Sequence, residues 1–489
     1  MLKREACGRT SCRGQAHRPR HRRYKFCVPN RILVQSAAHA LLRIGRILSP
    51  GLFNFKLLTK SMNGCAWVER SLDMVGEPRW DRSTACRACI AALSCFGRTD
   101  TGLRRGWGEF GRLGHGDTTS HREPAALTND VLQGATMISC GGHHTVAVTE
   151  TGHVVSWGWG SDGQLGNGNK DDQMIPTLVK ALSTQRVIAV SCGYYHTAVV
   201  TEEGAVLCWG KGSSGQLGLG DASGCLIPRS IAALHEHKIR EVSCGMAHTL
   251  VLSDEGLVFA WGAASDGQLG VGECPEGQAD AHEPLQVLGV DTPVSLIAAG
   301  SRHSLCITRD DARLYAWGNN SDGRLGLEDC QNRFLPVAPP LCLDEHGASM
   351  RVSGISGGGH HSAVIEESLG RLYTCGKGSY GQLGHGDTEA IHSFKLVEAL
   401  REMRISKIAC GDTHTVALAV SGDVWVWGAG EDGQLGLPES VCETRCCVPR
   451  PVQKLQRKVC ALAAGLVHSA ALAPQQSQTA ARISQKSSI

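Results

Sequence analysis

A ten-residue stretch, Trp157-Gly158-Trp159-Gly160-Ser161-Asp162-Gly163-Gln164-Leu165-Gly166, returns along the chain in variants that begin at Trp107, Trp209, Trp261, Trp317, Cys375 (Cys in place of Trp) and Trp427. The spacings between successive copies are 50, 52, 52, 56, 58 and 52 residues. Self-similarity at a period of this size marks a solenoid, a propeller or an array whose modules share one continuous core. Length alone, at 489 residues, would suggest roughly three domains. The repeat overrides that estimate, so residues 96–474 read as a single unit, with a separate extension over 1–95 and a Gln- and Ser-rich tail over 475–489 that reads as disordered.

One copy, from Ile188 to Gly220, shows the local plan. An apolar run ends at Val190-Ser191-Cys192-Gly193, two variable residues follow, and His196-Thr197-Ala198-Val199-Val200 reads as a strand before the turn at Glu202-Glu203-Gly204. Ala205-Val206-Leu207-Cys208-Trp209 is the next strand, closed by the glycine-rich turn from Gly210 to Gly215. No segment of a copy has helix-length periodicity. Short strands and glycine turns repeated in this way imply a β-propeller, for which 4–8 four-stranded blades is the usual range. Seven copies predict an all-β, seven-bladed propeller with a basic, largely irregular N-terminal extension. The first copy is imperfect: Leu103-Arg104-Arg105-Gly106 stands where His153-Val154-Val155-Ser156 supplies a strand.

Charge is unevenly spread. Residues 1–60 hold fourteen Lys or Arg against the single acid Glu5, a net +13 in a chain whose total is +3, so the remainder carries −10. Residues 18–25, Arg18 to Lys25, form a basic run suited to nuclear import or weak nucleic-acid contact through phosphate counterion release, or to nothing more than a solvated tail. An Arg-rich, acid-poor leader also fits organelle targeting. No apolar run approaches the roughly 20 residues needed to cross a bilayer, so no membrane contact is expected. Four of the 22 cysteines recur at one repeat position, Cys140, Cys192, Cys244 and Cys410, which reads as a small buried residue in a reducing intracellular compartment, nucleus or cytoplasm.

Several motifs have a chemical and a structural reading. Gly-x-Gly-x-x-Gly occurs at Gly158–Gly163, Gly210–Gly215, Gly376–Gly381 and Gly428–Gly433, yet another turn follows where a dinucleotide site needs a helix. The histidines His144, His196, His248, His303, His361, His414 and His468 stand once per copy. A catalytic group is needed once, so a sevenfold histidine reads as structural, bonded to a buried backbone group. The tryptophans Trp107, Trp157, Trp209, Trp261, Trp317 and Trp427 read as packing residues. Cys86 and Cys89, with Cys95 nearby, have zinc-ligand spacing at one end only. No metal, cofactor or enzyme active site is expected.

The informative positions are the variable pairs before each histidine: Gly142-His143, Tyr194-Tyr195, Met246-Ala247, Ser301-Arg302, Gly359-His360, Asp412-Thr413 and Leu466-Val467. They occupy equivalent loops and would gather on one face, which makes His143, Tyr194, Tyr195, Met246, Arg302, His360 and Asp412 the candidate partner-binding residues. Trp209, Gly215, Leu217, Gly218, Pro228, Cys244, Gly245, His248 and Thr249 together resemble the regulator of chromosome condensation repeat, and the resemblance extends over residues 99–473. It implies a ring closed by pairing one chain end into the blade begun by the other, with Leu103 to Trp107 beside the last blade. It also implies a protein partner: a scaffold or regulator, or alternatively a guanine-nucleotide exchange factor for a small Ran-like GTPase. The early turns Gly210–Gly218 and Gly262–Gly270 show no inserted wedge, while Glu273–His282 and Cys342–Met350 are the longest departures. The ultraviolet-B receptor branch is similar too, but its sensing tryptophans have no counterpart in the seven pairs. Removal of residues 1–90 is expected to leave the propeller folded.

Overall fold

Each complete repeat becomes a four-stranded antiparallel sheet standing on edge around a central channel. The sequence dictates this locally: the second strand of each copy, such as His196–Thr201, is rich in β-branched and small residues and is buried along its whole length. Burial of both faces requires a sheet on either side, which a radial array provides. Outer strands carry the repeat proline, for example Pro176 in Gln173–Leu178 and Pro228 in Cys225–Ser230, at the edge where a missing N–H does least harm. The computed structural model describes residues 108–272, 280–341, 350–442, 444–453, 455 and 458–474, with strand backbone at Thr59–Met62, Cys65–Val68 and Ala88–Leu93. Two units are distinguished, 1–83 and 84–489. The first contains a two-stranded ribbon in which Thr59 faces Val68.

Six sheets are each built from four consecutive strands. These are blades 1 to 6, whose first strands are Ala135–Cys140, Val187–Cys192, Ile239–Cys244, Val294–Ala299, Val352–Gly357 and Ile405–Cys410. The expected seven-bladed propeller of seven repeats is therefore corrected to six blades, each complete within one repeat. What remains is a composite sheet in the order Ala461–Ala464, Ser469–Pro474, Ala88–Leu93, Ala125–Leu127, drawn from three separate parts of the chain. Its third strand is not the expected Leu103–Trp107, which lies outside the described residues, but Ala88–Leu93, in register from Ala88 opposite Pro474 to Leu93 opposite Ser469. The physical reason is polarity: Ala88-Cys89-Ile90-Ala91-Ala92-Leu93 is apolar throughout, whereas Leu103-Arg104-Arg105-Gly106 would bury two guanidinium groups. The strand begins before residue 90, so the segment expected to be dispensable includes part of this sheet.

One relay of hydrogen bonds joins each four-stranded sheet to the next. His196 Nε2 lies 3.0 Å from Thr249 Oγ1, and that hydroxyl donates to the Gln216 carbonyl at 2.9 Å. The same pattern links His144 to Thr197, His248 to Ser304, His303 to Ser362, His361 to Thr415, His414 to Ser469 and His468 to Thr145. A hydroxyl has one proton, and the carbonyl can only accept it. Each histidine must therefore donate from Nε2, which fixes the neutral tautomer with a bare Nδ1. Each histidine thus reaches the backbone through a neighbour's hydroxyl, not by the direct bond expected from the sequence.

The carbonyl in the relay belongs to the variable residue of Gly-x-Leu-Gly, and it also accepts the indole N–H of the following tryptophan: Trp209 on Gln164 at 2.9 Å, Trp261 on Gln216 at 2.9 Å, Trp317 on Gln268 at 3.0 Å and Trp427 on Gln382 at 2.8 Å. Gly218 shows why the motif ends in glycine. Its φ is +67°, and a Cβ there would sit 2.8 Å from Trp261 Nε1. Blade 5 departs in two places at once. Cys375 replaces the tryptophan and Phe394 replaces the outer-strand proline, and Phe394, buried, lies against Gly326 where the other blades place an indole.

Two predictions follow from this packing. Cys375→Trp alone overfills the site and costs about 1–3 kcal/mol, while adding Phe394→Pro restores the common arrangement; urea unfolding of the four-member cycle should give a coupling above about 1 kcal/mol, and additive costs would refute the exchange. The second concerns acid. Burial pushes His144, His196, His361 and His414 down to about 3 and His248 to about 4, with His303 and His468 also well below normal. The unfolded chain, titrating near 6.5, then binds more protons, so stability is full above that pH and falls as pH drops through it. Glu241 and Asp432, raised to about 7 by burial, work the other way but are two against seven. Unfolding free energy should fall by at least about 3 kcal/mol between pH 6.5 and 5.0; a flat urea midpoint across that interval would contradict the relay.

Candidate partner-binding face

The first strand of each blade runs to the same end of the channel, so the pair preceding the histidine and the turn following the third strand emerge side by side. Backbone bonds fix their register: Trp159 N donates to His143 O, Lys211 N to Tyr195 O and Asn319 N to Arg302 O, each at 2.9 Å. The second residue of each pair then faces the turn of the preceding blade. Arg302 reaches Asp266 at 3.3 Å, and His360 Nδ1 stands 3.0 Å from Asp322.

The face divides into sectors of different chemistry. Around blades 1 and 2, Phe110, His143, Trp159 and Tyr195 touch one another, with ring centroids 5.5 Å apart for Phe110–Trp159, 5.4 Å for His143–Trp159 and 5.6 Å for Trp159–Tyr195. All four are half-buried. Phe110 holds a left-handed backbone, φ +64°, unusual for a residue with a Cβ. Beneath it lies Arg112, 1% exposed, whose Nε donates to the Glu109 carbonyl at 3.0 Å. Burial lowers Arg112 to about 10, against the charges of Glu109 and Asp432, so it remains a cation. Burial and that cation push His143 down to about 4 and keep it neutral. Lys211 covers the Tyr195 ring at 5.0 Å.

Around blades 4 and 5 the face is ionic. Arg324 is buried and donates to the Gly359 carbonyl at 3.0 Å, to Ser321 Oγ at 3.2 Å and to Asp322. Burial opposes the Asp322 carboxylate, but hydrogen bonding and charge from His360 and Arg324 outweigh it and hold its pKa below the usual range. Between the sectors, Tyr194 crosses the channel mouth. Its hydroxyl donates to Asp412 Oδ1 at 2.7 Å and accepts from Ser301 Oγ at 2.7 Å, tying blades 2, 4 and 6 together. Burial, reinforced by the Asp412 charge, drives the Tyr194 pKa far up. The mouth beneath is lined by Cys140, Cys192, Cys244 and Cys410, whose thiols burial keeps protonated.

The structure thus gathers His143, Tyr194, Tyr195, Arg302, His360 and Asp412 on one face, but spends Tyr194 and Asp412 on each other. Met246 is half-buried beside the mouth, its amide donating to Ser301 O at 3.1 Å. Sequence reasoning passed over Phe110, Trp159, Asp162, Lys211 and Asp266, because the turns were read as glycine architecture. Trp107 was also misaligned. Gly108 N donates to Ser120 Oγ as Gly160 N does to Asp172 Oδ1, each twelve residues on, so Gly108 matches Gly160 and Trp107 pairs in sequence with Trp159, not Trp157. The first spacing, 50 where the next two are 52, carried that signal. Residues 18–25, Cys86 and Cys95 lie outside the described residues. Among the described residues, no group of three His, Cys, Asp or Glu side chains has the arrangement to hold a metal ion, and no helix is long and apolar enough to cross a membrane.

A relay joining each repeat to the next agrees with the family model of the RCC1-like domain, which matches residues 103–471. The chain belongs to this family. It is 36% identical over 340 residues to the ultraviolet-B receptor UVR8 of Arabidopsis thaliana, covering 69% of this chain and 74% of that protein. It is 34% identical over 323 residues to the human E3 ubiquitin-protein ligase HERC2, covering 65% of this chain but only 6% of the ligase. Among solved structures, Prp20p of Saccharomyces cerevisiae, described with its binding properties toward Gsp1p and histones, superimposes with a TM-score of 0.68 at 22% identity over 83% of this chain and 96% of its own. At that identity the likeness speaks for the fold alone.

Proposed function

We propose that this RCC1-like chain is a protein-binding propeller, a scaffold or regulator that works through the histidine-side face and makes no covalent bonds itself. The observation that carries this is the aromatic sector. The side chains of Phe110, Trp159 and Tyr195 serve none of the bonds that repeat from blade to blade, yet they form a contiguous half-exposed surface of the residue types that anchor interfaces. The buried free thiols suit a reducing compartment, nucleus or cytoplasm.

The yeast neighbour's description with Gsp1p favours a second reading, exchange on a Ran-like GTPase. Against it, Gly210–Gly218 and Gly262–Gly270 are plain turns with no projecting element. Most of Glu273–His282 and Cys342–Met350, the two long segments, lies outside the described residues. Photoreception is not proposed: Trp157, Trp209, Trp261, Trp317 and Trp427 are buried one to a blade rather than clustered.

The test is capture by the immobilised full chain, by a Trp159→Ala/Tyr195→Ala variant, and by a Lys238→Ala/Asp254→Ala control that removes an exposed 3.4 Å ion pair at the opposite end of the blades. A protein held by the wild type and the control but lost from the face variant is the expected result; equal retention by all three would refute the face. Nucleotide release from a panel of small GTPases, Ran included, should not accelerate. Acceleration on one would establish the exchange reading instead.

A further inference from the structure

Resting on the face assigned above, we propose that the cleft between blades 1 and 2 receives an arginine side chain from the partner protein, its guanidinium on the Asp162 carboxylate and its plane against Trp159.

The protein supplies its own template two blades away. Between blades 3 and 4, Asp266 accepts Arg302 at 3.3 Å, Asn319 Nδ2 at 2.8 Å and Asn332 Nδ2 at 3.3 Å. The cleft at blades 1 and 2 has the same frame: an added Cβ on Gly318 would sit 3.2 Å from Gln268 Cα, and one on Gly210 would sit 3.2 Å from Gln164 Cα. Asp162 therefore stands where Asp266 does, and Tyr195 stands where Arg302 does. The acid is repeated and Arg302 is not; Lys211, which takes the place of Asn319, lies over the Tyr195 ring and makes no ion pair with Asp162. Asp162 uses its amide, donating to Gln164 Oε1 at 3.0 Å, but its carboxylate makes no hydrogen bond or ion pair among the described residues.

What surrounds that carboxylate selects the cation. The first turn residue, Ala263 in the template, is Trp159 here, half-buried and packed edge-on to Tyr195 at 5.6 Å. Tryptophan is the strongest aromatic partner for a cation. Lys211 over Tyr195 at 5.0 Å shows that the sector already holds one cation on an aromatic ring, while no cation covers Trp159 among the described residues. A flat guanidinium can stack on the indole and still direct two N–H groups at one carboxylate, which an ammonium cannot. An anionic or purely aliphatic side chain would leave Asp162 uncompensated.

The experiment uses the full chain and two blocked hexapeptides, Gly-Arg-Gly-Arg-Gly-Arg and its lysine counterpart, titrated calorimetrically at low salt. The arginine peptide should bind at least about fivefold tighter than the lysine peptide. Asp162→Asn should weaken it about tenfold. Tyr195→Arg should weaken it similarly, because the introduced guanidinium reproduces the Arg302 arrangement and occupies Asp162 from within; unchanged thermal midpoints would show that both variants fold. Equal binding of the two peptides, no binding at millimolar concentration, or indifference to Asp162→Asn would overturn the proposal. A partner lost from the Trp159→Ala/Tyr195→Ala variant but fully retained by Asp162→Asn would overturn the arginine seat and leave the face standing.

Discussion

A buried hydroxyl that must give its only proton to a carbonyl dictates the rest of this molecule. It forces the histidine of the preceding sheet to donate from Nε2, and burial keeps that ring neutral with its Nδ1 bare. It also places the carbonyl of Gly-x-Leu-Gly within reach of the next indole, as Gln216 accepts both Thr249 and Trp261. Three motifs that look independent along the chain are thus one contact between neighbouring sheets. Loss of any member strands a partner in a dry environment, where an unmet polar group costs about 1–3 kcal/mol. That coupling, more than the intrinsic preference of any strand, holds the repeat to a fixed frame.

Because the relay uses the backbone carbonyl of the variable Gly-x-Leu-Gly residue, its side chain is free to differ. Gln164, Gln216, Gln268 and Gln382 turn back to accept the amide two residues earlier. Arg112 and Arg324 occupy the same place and bring buried cations under the face, one beneath Phe110 and one beside Asp322 and His360. The framework and the surface are therefore coupled at the composite sheet, through Arg112, and at blade 4, through Arg324. Those two places border the aromatic and ionic sectors.

How much of this the sequence disclosed depends on whether the determinant was local. The strands and turns were legible, because each copy restates them. The histidines read as structural because one per repeat cannot all be catalytic. The ring count was not legible, since the last sheet takes its third strand from Ala88–Leu93, a run of small apolar residues with no repeat landmark, paired with a strand at the far end of the chain. Phe394 for proline and Cys375 for tryptophan each look like decay when read singly, and only their contact near Gly326 shows them to be an exchange of volume. On the face, the pairs before the histidines stood out by varying. The fate of Tyr194 did not, because its hydroxyl bonds Asp412, 218 residues away.

The face and the framework also differ in what a substitution can reach. A change at Trp159 or Tyr195 touches neighbours in one cleft, and the relay beneath it uses other atoms. A change at Tyr194 touches Ser301 and Asp412 and so reaches three blades through one hydroxyl. The Asp412 carboxylate accepts that hydroxyl, and removing the donor would leave the mouth of the channel without its cross-link. Partner choice can therefore drift at the cleft residues at little cost to folding, while the mouth keeps the blades in a fixed relation to one another. A scaffold with an adjustable rim and a braced centre can keep one geometry and change what it recognises.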